Sequence, residues 1–279
     1  MESRPLRYFV AVAEELNFAR AAERLGISSP PLSRAIKQLE TELGTVLFER
    51  TTHSVTLTPA GAVLLAEARI ALDALQAAGR RAQRAAATEP KLVLAVKADG
   101  DAGLLEPILA RYASGPAAVP VAVRLCSWQE QPRLLRRGEA DVALVHEPFD
   151  HTGLDAEPLI SEARVVALAA DHPLAAQDRV TLADLGLTSD TVMRFIEETR
   201  KEGRDLAQLL TLVGLGGPTP LLPASVAARY PRPGVVFRPL KDAPRVSLAI
   251  AWPQQSRSTA TADLVRAAEA VAEDSGPRP

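Results

Sequence analysis

Ser33, Arg34 and Lys37 stand close together in the run SPPLSRAIKQLETEL. At about 100° per residue they share one side of a helix with Pro30 and Thr41. A hydroxyl, a guanidinium and an ammonium on one face suit the major groove of DNA. Arg pairs with guanine edges, and Lys and Ser reach bases or phosphates. The opposite side carries Leu32, Ala35, Ile36, Leu39 and Leu43, an apolar stripe that must be seated on a core. Ser28 or Ser29 is the expected cap of this helix, and Pro30 suits its first turn, where no N–H is needed. Before it, Phe18, Ala21, Ala22 and Leu25 repeat at helical spacing, and Gly26 can take the left-handed conformation that stops a helix. Two amphipathic helices about a tight turn are also a common packing unit, so the flanks decide. Leu6, Phe9, Val10, Ala13 and Leu16 predict a third helix ahead of the pair. Residues 46–48 and 55–57 predict two short strands around a polar turn that carries Arg50 and His53, a wing beside the basic helix.

Residues 1–61 resemble the winged helix-turn-helix of LysR-type transcriptional regulators. The resemblance rests on Phe9, Phe18, Ala21, Ala22, Leu25, Pro30, Leu32, Ser33, Ile36, Leu39, Glu40, Leu43, Gly44, Leu47, Phe48, Arg50, Leu57, Thr58, Pro59 and Gly61 in fixed order. It departs at Ser29, where the family usually carries Gln, and at Ala35, where a polar residue is common. The resemblance implies double-stranded DNA as a partner, read as an interrupted inverted repeat. The expected contact set is Ser29, Pro30, Ser33, Arg34, Lys37, Arg50 and His53.

The 279-residue chain has a net charge of −2, so it is no polycationic coat for nucleic acid. DNA affinity must come from local placement of cations and from dimerisation. The single cysteine, Cys126, excludes an intramolecular disulfide framework and a Cys-based zinc cluster. It falls in a predicted strand and is expected to be a packed thiol. Met1–Arg7 lead into an amphipathic helix with Glu14 and Glu15 rather than an apolar leader, and no uncharged apolar stretch is long enough to span a bilayer. The expectation is a cytoplasmic protein with no membrane partner.

Thr58-Pro59 predicts the start of a helix over 59–87. Gly61, Leu65, Ala68, Leu72, Leu75, Gly79, Ala82 and Ala86 alternate at spacings of four and three, the pattern of a helix that packs on a like partner. Leu65, Ala68, Leu72, Leu75 and Gly79 are the expected dimer seam. The family also dimerises through this helix, which implies a homodimer or homotetramer.

From Lys91 the pattern alternates. Strands are expected at 92–96, 119–126, 141–146, 164–170, 221–222, 235–240 and 246–252. Helices are expected at 104–112, 129–137, 182–185, 205–213, 225–229 and 261–271. Such alternation implies α/β layers with a parallel sheet. This half resembles the LysR-type effector domain, two subdomains joined by crossing strands like a periplasmic binding protein. The landmarks are Gly138 with Asp141, the turn His172-Pro173-Leu174-Ala175, and Gly214-Leu215-Gly216 with Leu222-Pro223. The stretch between Leu187 and Gly214 is short for the family, so a reduced second subdomain is expected. The fold expected is therefore α/β overall: a winged helix-turn-helix domain at 1–58, a linker helix at 59–87, an effector-binding domain at 88–273 and a tail at 274–279.

In such a sheet a ligand sits beyond the carboxyl ends of the strands. Lys97, Asp99, Gly100, Ser127, Trp128, His146 and Arg194 are the candidate small-molecule contacts. Asp99 and Asp101 would disfavour a simple carboxylate ligand and favour a polyol, an amine or a cation, or they would cap the following helix. His146-Glu147 lacks further metal ligands at useful spacing. The 214–217 glycine run follows no strand, so it is not a dinucleotide fingerprint, and neither a nucleophile elbow nor a P-loop is present. The reading is a DNA-binding regulator that senses a small molecule, with no cofactor. The alternatives are a ligand-independent architectural regulator of the same fold and an α/β enzyme.

Overall fold

The computed structural model describes residues 2–51, 54–86, 88–201 and 205–275. The chain divides into two compact units, residues 1–83 with 136–138, and residues 84–135 with 139–279.

The first unit contains α1 (Ser3–Glu15), α2 (Phe18–Arg24), α3 (Ser29–Leu43), β1 (Phe48–Arg50), β2 (Val55–Leu57) and α4 (Pro59–Ala85). Each start has a local cause. Asn17 Oδ1 accepts from the N–H groups of Ala19 and Arg20 and caps α2. Pro30 and Pro31 occupy the first turn of α3, and Gly44, at φ 66°, ends it. Leu16 ends α1 in the left-handed region at φ 46°, which turns it out of the core stripe expected for it and leaves it exposed. Phe9, Val12, Leu32, Ile36, Leu39, Leu47 and Phe48 form the core, with the Phe9 and Phe48 rings 5.3 Å apart. Each such side chain contributes about 1.5–3 kcal/mol on burial. The wing is an antiparallel pair in which Phe48 opposes Leu57 and Arg50 opposes Val55. Its first strand starts at Phe48 rather than at Val46, because the Val46 carbonyl is taken by the Thr58 hydroxyl at 2.7 Å. That hydroxyl in turn accepts from Gly61 N at 3.0 Å and caps α4. A Cβ on Gly61 would lie 2.2 Å from the Leu47 carbonyl oxygen, so α4 can start against the wing only with glycine there.

The course of α4 corrects the expected seam. Ala68 is 2% exposed within the winged-helix core, and Leu64, Leu65 and Leu72 pack against the same core. Arg69 also reaches back to Glu14 on α1 at 2.9 Å. Burial alone would raise the Glu14 carboxyl, but hydrogen bonds from Arg69 and Arg24 outweigh it and hold the group below the usual carboxylate range. Leu65, Ala68 and Leu72 therefore have partners in their own chain. Val63, Ile70 and Leu75 are exposed, as is Gly79.

The second unit contains β3 (Leu92–Lys97), α5 (Leu105–Ala113), β4 (Val121–Cys126), α6 (Gln131–Arg136), β5 (Val142–His146), β6 (Leu154–Glu162), β7 (Arg164–Ala169), α7 (Val192–Lys201), α8 (Leu206–Gly214), β8 (Leu221–Pro223), α9 (Ala224–Arg229), β9 (Val235–Pro239), β10 (Val246–Pro253) and α10 (Thr259–Ser275). The first sheet has the order β4-β3-β5-β10-β6. β3 is parallel to β4 and β5, but β10 runs antiparallel to both β5 and β6, so the sheet is mixed rather than parallel. β6 is not among the expected strands: it is an edge strand, partly exposed, with Pro158 beside a shift of register. The second sheet, β8-β7-β9, is antiparallel throughout. The chain passes from the first sheet to the second at Ala163 and returns between Pro239 and Val246.

Two further elements depart from expectation. α7 occupies a stretch for which no helix or strand is expected from sequence. Thr191 Oγ1 accepts from Thr188 N at 2.8 Å at its start, and Val192 and Ile196 are buried at a spacing of four. α10 runs on through Ser275, so Asp274 and Ser275 belong to a helix rather than to the expected tail, and 276–279 lie outside the described residues. Among the described residues no helix is long and apolar enough to cross a membrane.

Candidate nucleic-acid interface and ligand cleft

α3 carries the candidate DNA face. Pro30, Arg34, Lys37, Gln38 and Thr41 are exposed on the side opposite Leu32, Ile36 and Leu39, and Ser29 and Ser33 are partly exposed beside them. Arg34 and Lys37 have no ion pair among the described residues. Arg20 and Arg24 do: Arg24 lies 2.8 Å from Glu14 and 3.2 Å from Glu15, and Arg20 lies 3.6 Å from Glu15. The two cations on α3 thus keep their donors for acceptors outside the chain, such as phosphate oxygens or guanine edges offer. Arg50 is held more firmly. Its guanidinium stacks over Phe18 and pairs with Glu40 at 3.4 Å. His53 lies outside the described residues.

The second unit carries a cleft of about 90 Å³ between its two subdomains. The first subdomain supplies Lys97 from the end of β3, Asp99 and Gly100 from the β3–α5 loop, Trp128 from the β4–α6 loop and His146 from the end of β5. Ile196, Leu206, Leu209, Leu221, Leu222 and Val226 form an apolar wall from the second. His146 is buried and stacks on Trp128, with ring centroids 5.3 Å apart. Five of the seven residues read as small-molecule contacts thus converge. Ser127 and Arg194 do not. Ser127 is exposed, and its N–H donates to Glu130 at 3.1 Å. Arg194 is largely exposed on α7, 3.9 Å from Glu198, because the buried face of that helix belongs to Val192 and Ile196. The Arg194 assignment is corrected accordingly.

The two aspartates are already engaged. Asp101 Oδ2 accepts from Leu105 N at 3.2 Å at the start of α5, and its Oδ1 accepts from Arg229 at 3.0 Å. Asp99 Oδ1 accepts from the Tyr230 hydroxyl at 2.5 Å. Burial and the neighbouring Asp99 push the Tyr230 hydroxyl up to about 12, so it stays protonated and donates. Sequence reasoning missed Arg229 and Tyr230. They lie about 130 residues beyond the aspartates, a separation that no local pattern reveals. It also missed the apolar wall, since core leucines and cleft leucines look alike in sequence. Cys126 is half-buried, and burial with the nearby Glu130 raises its thiol to about 11. No cluster of three or more metal-binding side chains occurs among the described residues.

Two family profiles match this chain. One is described as a bacterial regulatory helix-turn-helix protein of the lysR family and covers residues 3–62. The other is described as the LysR substrate binding domain and covers residues 85–189. The chain is 40% identical over 186 residues to the HTH-type transcriptional regulator AlsR of Bacillus subtilis, across 66% of this chain and 62% of that protein. It is 32% identical over 286 residues to the Hca operon transcriptional activator HcaR of Escherichia coli, across 95% of this chain and 96% of that protein. The solved structure of full-length CbnR with its target DNA resembles it with a TM-score of 0.51 and 28% identity, over 98% of this chain and 100% of that one.

Proposed function

The chain belongs to the LysR family of transcriptional regulators, with a DNA-binding winged helix-turn-helix and a C-terminal effector-binding domain, and we propose which of its residues carry those tasks. Arg34, Lys37 and Ser33 meet base edges and phosphates in the major groove, Ser29 and Pro30 approach the backbone, and Arg50 with His53 lies beside it. The observation that carries this is that Arg34 and Lys37, on the exposed side of α3, have no ion pair among the described residues, while Arg20 and Arg24 of the same unit are tied to glutamates.

Two copies pair through the uncovered side of α4. Val63 and Ile70 stand there among small residues, including Ala66, Ala74 and Ala78, which let two helices approach closely, and Leu75 and Gly79 continue the expected seam exposed beyond the winged-helix core. Paired α3 helices then read an interrupted inverted repeat in the cytoplasm, where the chromosome lies. The cleft takes a small molecule, with Lys97, Asp99, Trp128 and His146 facing the apolar wall.

The test is to sequence the genomic DNA retained by the full-length protein and to titrate binding against salt. Recovery of a repeat with two half-sites one or two helical turns apart is expected. Enrichment without any sequence preference would leave the architectural alternative in its place.

A further inference from the structure

α9 follows directly on β8 and so belongs by chain order to the second subdomain, yet both of its ends are fastened to the first. At its start, Glu162 at the end of β6 accepts from Ser225 N at 2.8 Å and from the Ser225 hydroxyl at 3.1 Å, and Glu162 is buried. At its end, Arg229 reaches Asp101 and Tyr230 reaches Asp99. Asp101 is itself held by the N–H of Leu105 at the start of α5. Gly103 leaves the room, since a Cβ there would stand 3.2 Å from the Arg229 guanidinium. The almost fully buried Arg164 donates to the Pro244 carbonyl at 2.9 Å and joins the two crossing segments. The cleft so held measures about 90 Å³. Cavities that admit a benzene-sized guest measure about 150 Å³. The cleft so held is small for such a guest, and α9 supplies Val226 to its wall.

We propose that α9 is a latch, in which Tyr230 on Asp99 and Arg229 on Asp101 hold the cleft contracted, and that an effector acts by taking the place of the Tyr230 hydroxyl on Asp99. This rests on the reading of the cleft as a small-molecule site. Asp99 lines the cleft and is the group the latch shares with a ligand. A competitor for its carboxylate must bring a hydrogen-bond donor, an alcohol or an amine, on an apolar body that fits against Leu209, Leu222 and Val226. A bare carboxylate would meet Asp99 with like charge. The cleft widens on binding, whereas a periplasmic binding protein closes from an open state.

The experiment uses the full-length protein, first without any ligand. Hydrogen exchange is followed at residues 224–230, and acrylamide quenching of Trp128 is followed in a Trp252→Phe background, since the chain has two tryptophans. Tyr230→Phe removes only the hydroxyl, and Asp101→Asn weakens the second tie without changing its size. Each is expected to speed exchange at 224–230 at least tenfold and to raise Trp128 quenching about twofold, with α10 unchanged. Unchanged exchange at 224–230 in both variants overturns the latch. If Tyr230→Phe loosens α10 as well, Asp101→Asn alone decides. A thermal-shift screen of small apolar alcohols and amines against matched carboxylic acids is then run on the parent and on Tyr230→Phe. Stabilisation by the donors, stronger in the variant, supports the ligand class, and stabilisation by the acids alone overturns it. A loosened α9 with no binder in either protein keeps the latch and overturns the small-molecule reading.

Discussion

The guanidinium of Arg50 lies over the ring of Phe18, its central carbon 4.4 Å from the ring centroid. A wing residue is thereby seated on the first residue of α2. The Phe18 ring also meets Phe48 edge-on, so cation, ring and core form one stack. Glu40 on α3 completes it. One oxygen faces Arg50, and the other accepts from Leu47 N at 2.9 Å and Phe48 N at 3.3 Å. The root of the wing is set by α2 and α3 together, which fixes its position relative to the DNA face.

Removing either member of this stack should have unequal effects. Arg50→Ala loses a partly exposed cation–π contact and a solvent-screened ion pair, a cost of about 0.5–1 kcal/mol in stability. Glu40→Ala leaves two backbone N–H groups unpaired and should cost about 1–3 kcal/mol. Chemical denaturation of the full chain measures both. Equal losses would show that Glu40 does not hold the wing.

Arg34→Ala should weaken operator binding by about 1–3 kcal/mol and relax specificity if Arg34 reads a base edge. Lys37→Ala should weaken specific and non-specific DNA alike and reduce the salt slope by about one if Lys37 touches phosphate. Affinity measured over a salt series on operator and random duplexes separates the two roles. No change in either variant would remove α3 from the DNA interface.

α4 presents two faces with opposite consequences. Ala68→Glu forces a charge into the winged-helix core and should cost more than about 3 kcal/mol, with the unit unfolding early in urea. Ile70→Glu alters only an exposed side chain, so folding should be preserved while the dimer separates. Sedimentation beside far-ultraviolet dichroism tells them apart. A folded Ile70→Glu dimer would place the seam elsewhere.

Cys126 should be chemically quiet. With its thiol raised to about 11, almost no thiolate exists at neutral pH, and alkylation by iodoacetamide should climb steeply only above pH 9. The folded value lies above the unfolded one, so the contribution to stability is intact below about pH 9 and is lost as pH rises toward 11. Peroxide should leave operator binding unchanged in the parent and in Cys126→Ala alike. Loss of binding in the parent alone would make this thiol a sensor.

The parts of this protein that were readable in its sequence are those encoded by neighbours along the chain. Gly26, the two prolines of α3 and the Thr58-Pro59 pair mark helix ends because capping is local. The 3.6-residue repeat separates the DNA face of α3 from its core face for the same reason. On α4 the same repeat shows that Leu65, Ala68 and Leu72 need covering but not by what, and the cover is the winged-helix core of the same chain. β6 and the antiparallel course of β10 depend on which strands meet, as does the union of Asp99 with Tyr230. Arg194 was misplaced because α7 turns it outward once Val192 and Ile196 take the buried side.

The position of β10 bears on how the protein is made. It is the next-to-last element, yet it lies between β5 and β6 in the interior of the first sheet and pairs with both. On a ribosome the winged helix-turn-helix emerges and can fold early, while the five-stranded sheet must wait for residues 246–253. Until then β5 and β6 have open edges, ready to accept a strand from elsewhere. A premature stop before Val246 would therefore leave an intact DNA-reading head on a sensor whose sheet has lost its middle, a product that could occupy operators without answering to any signal.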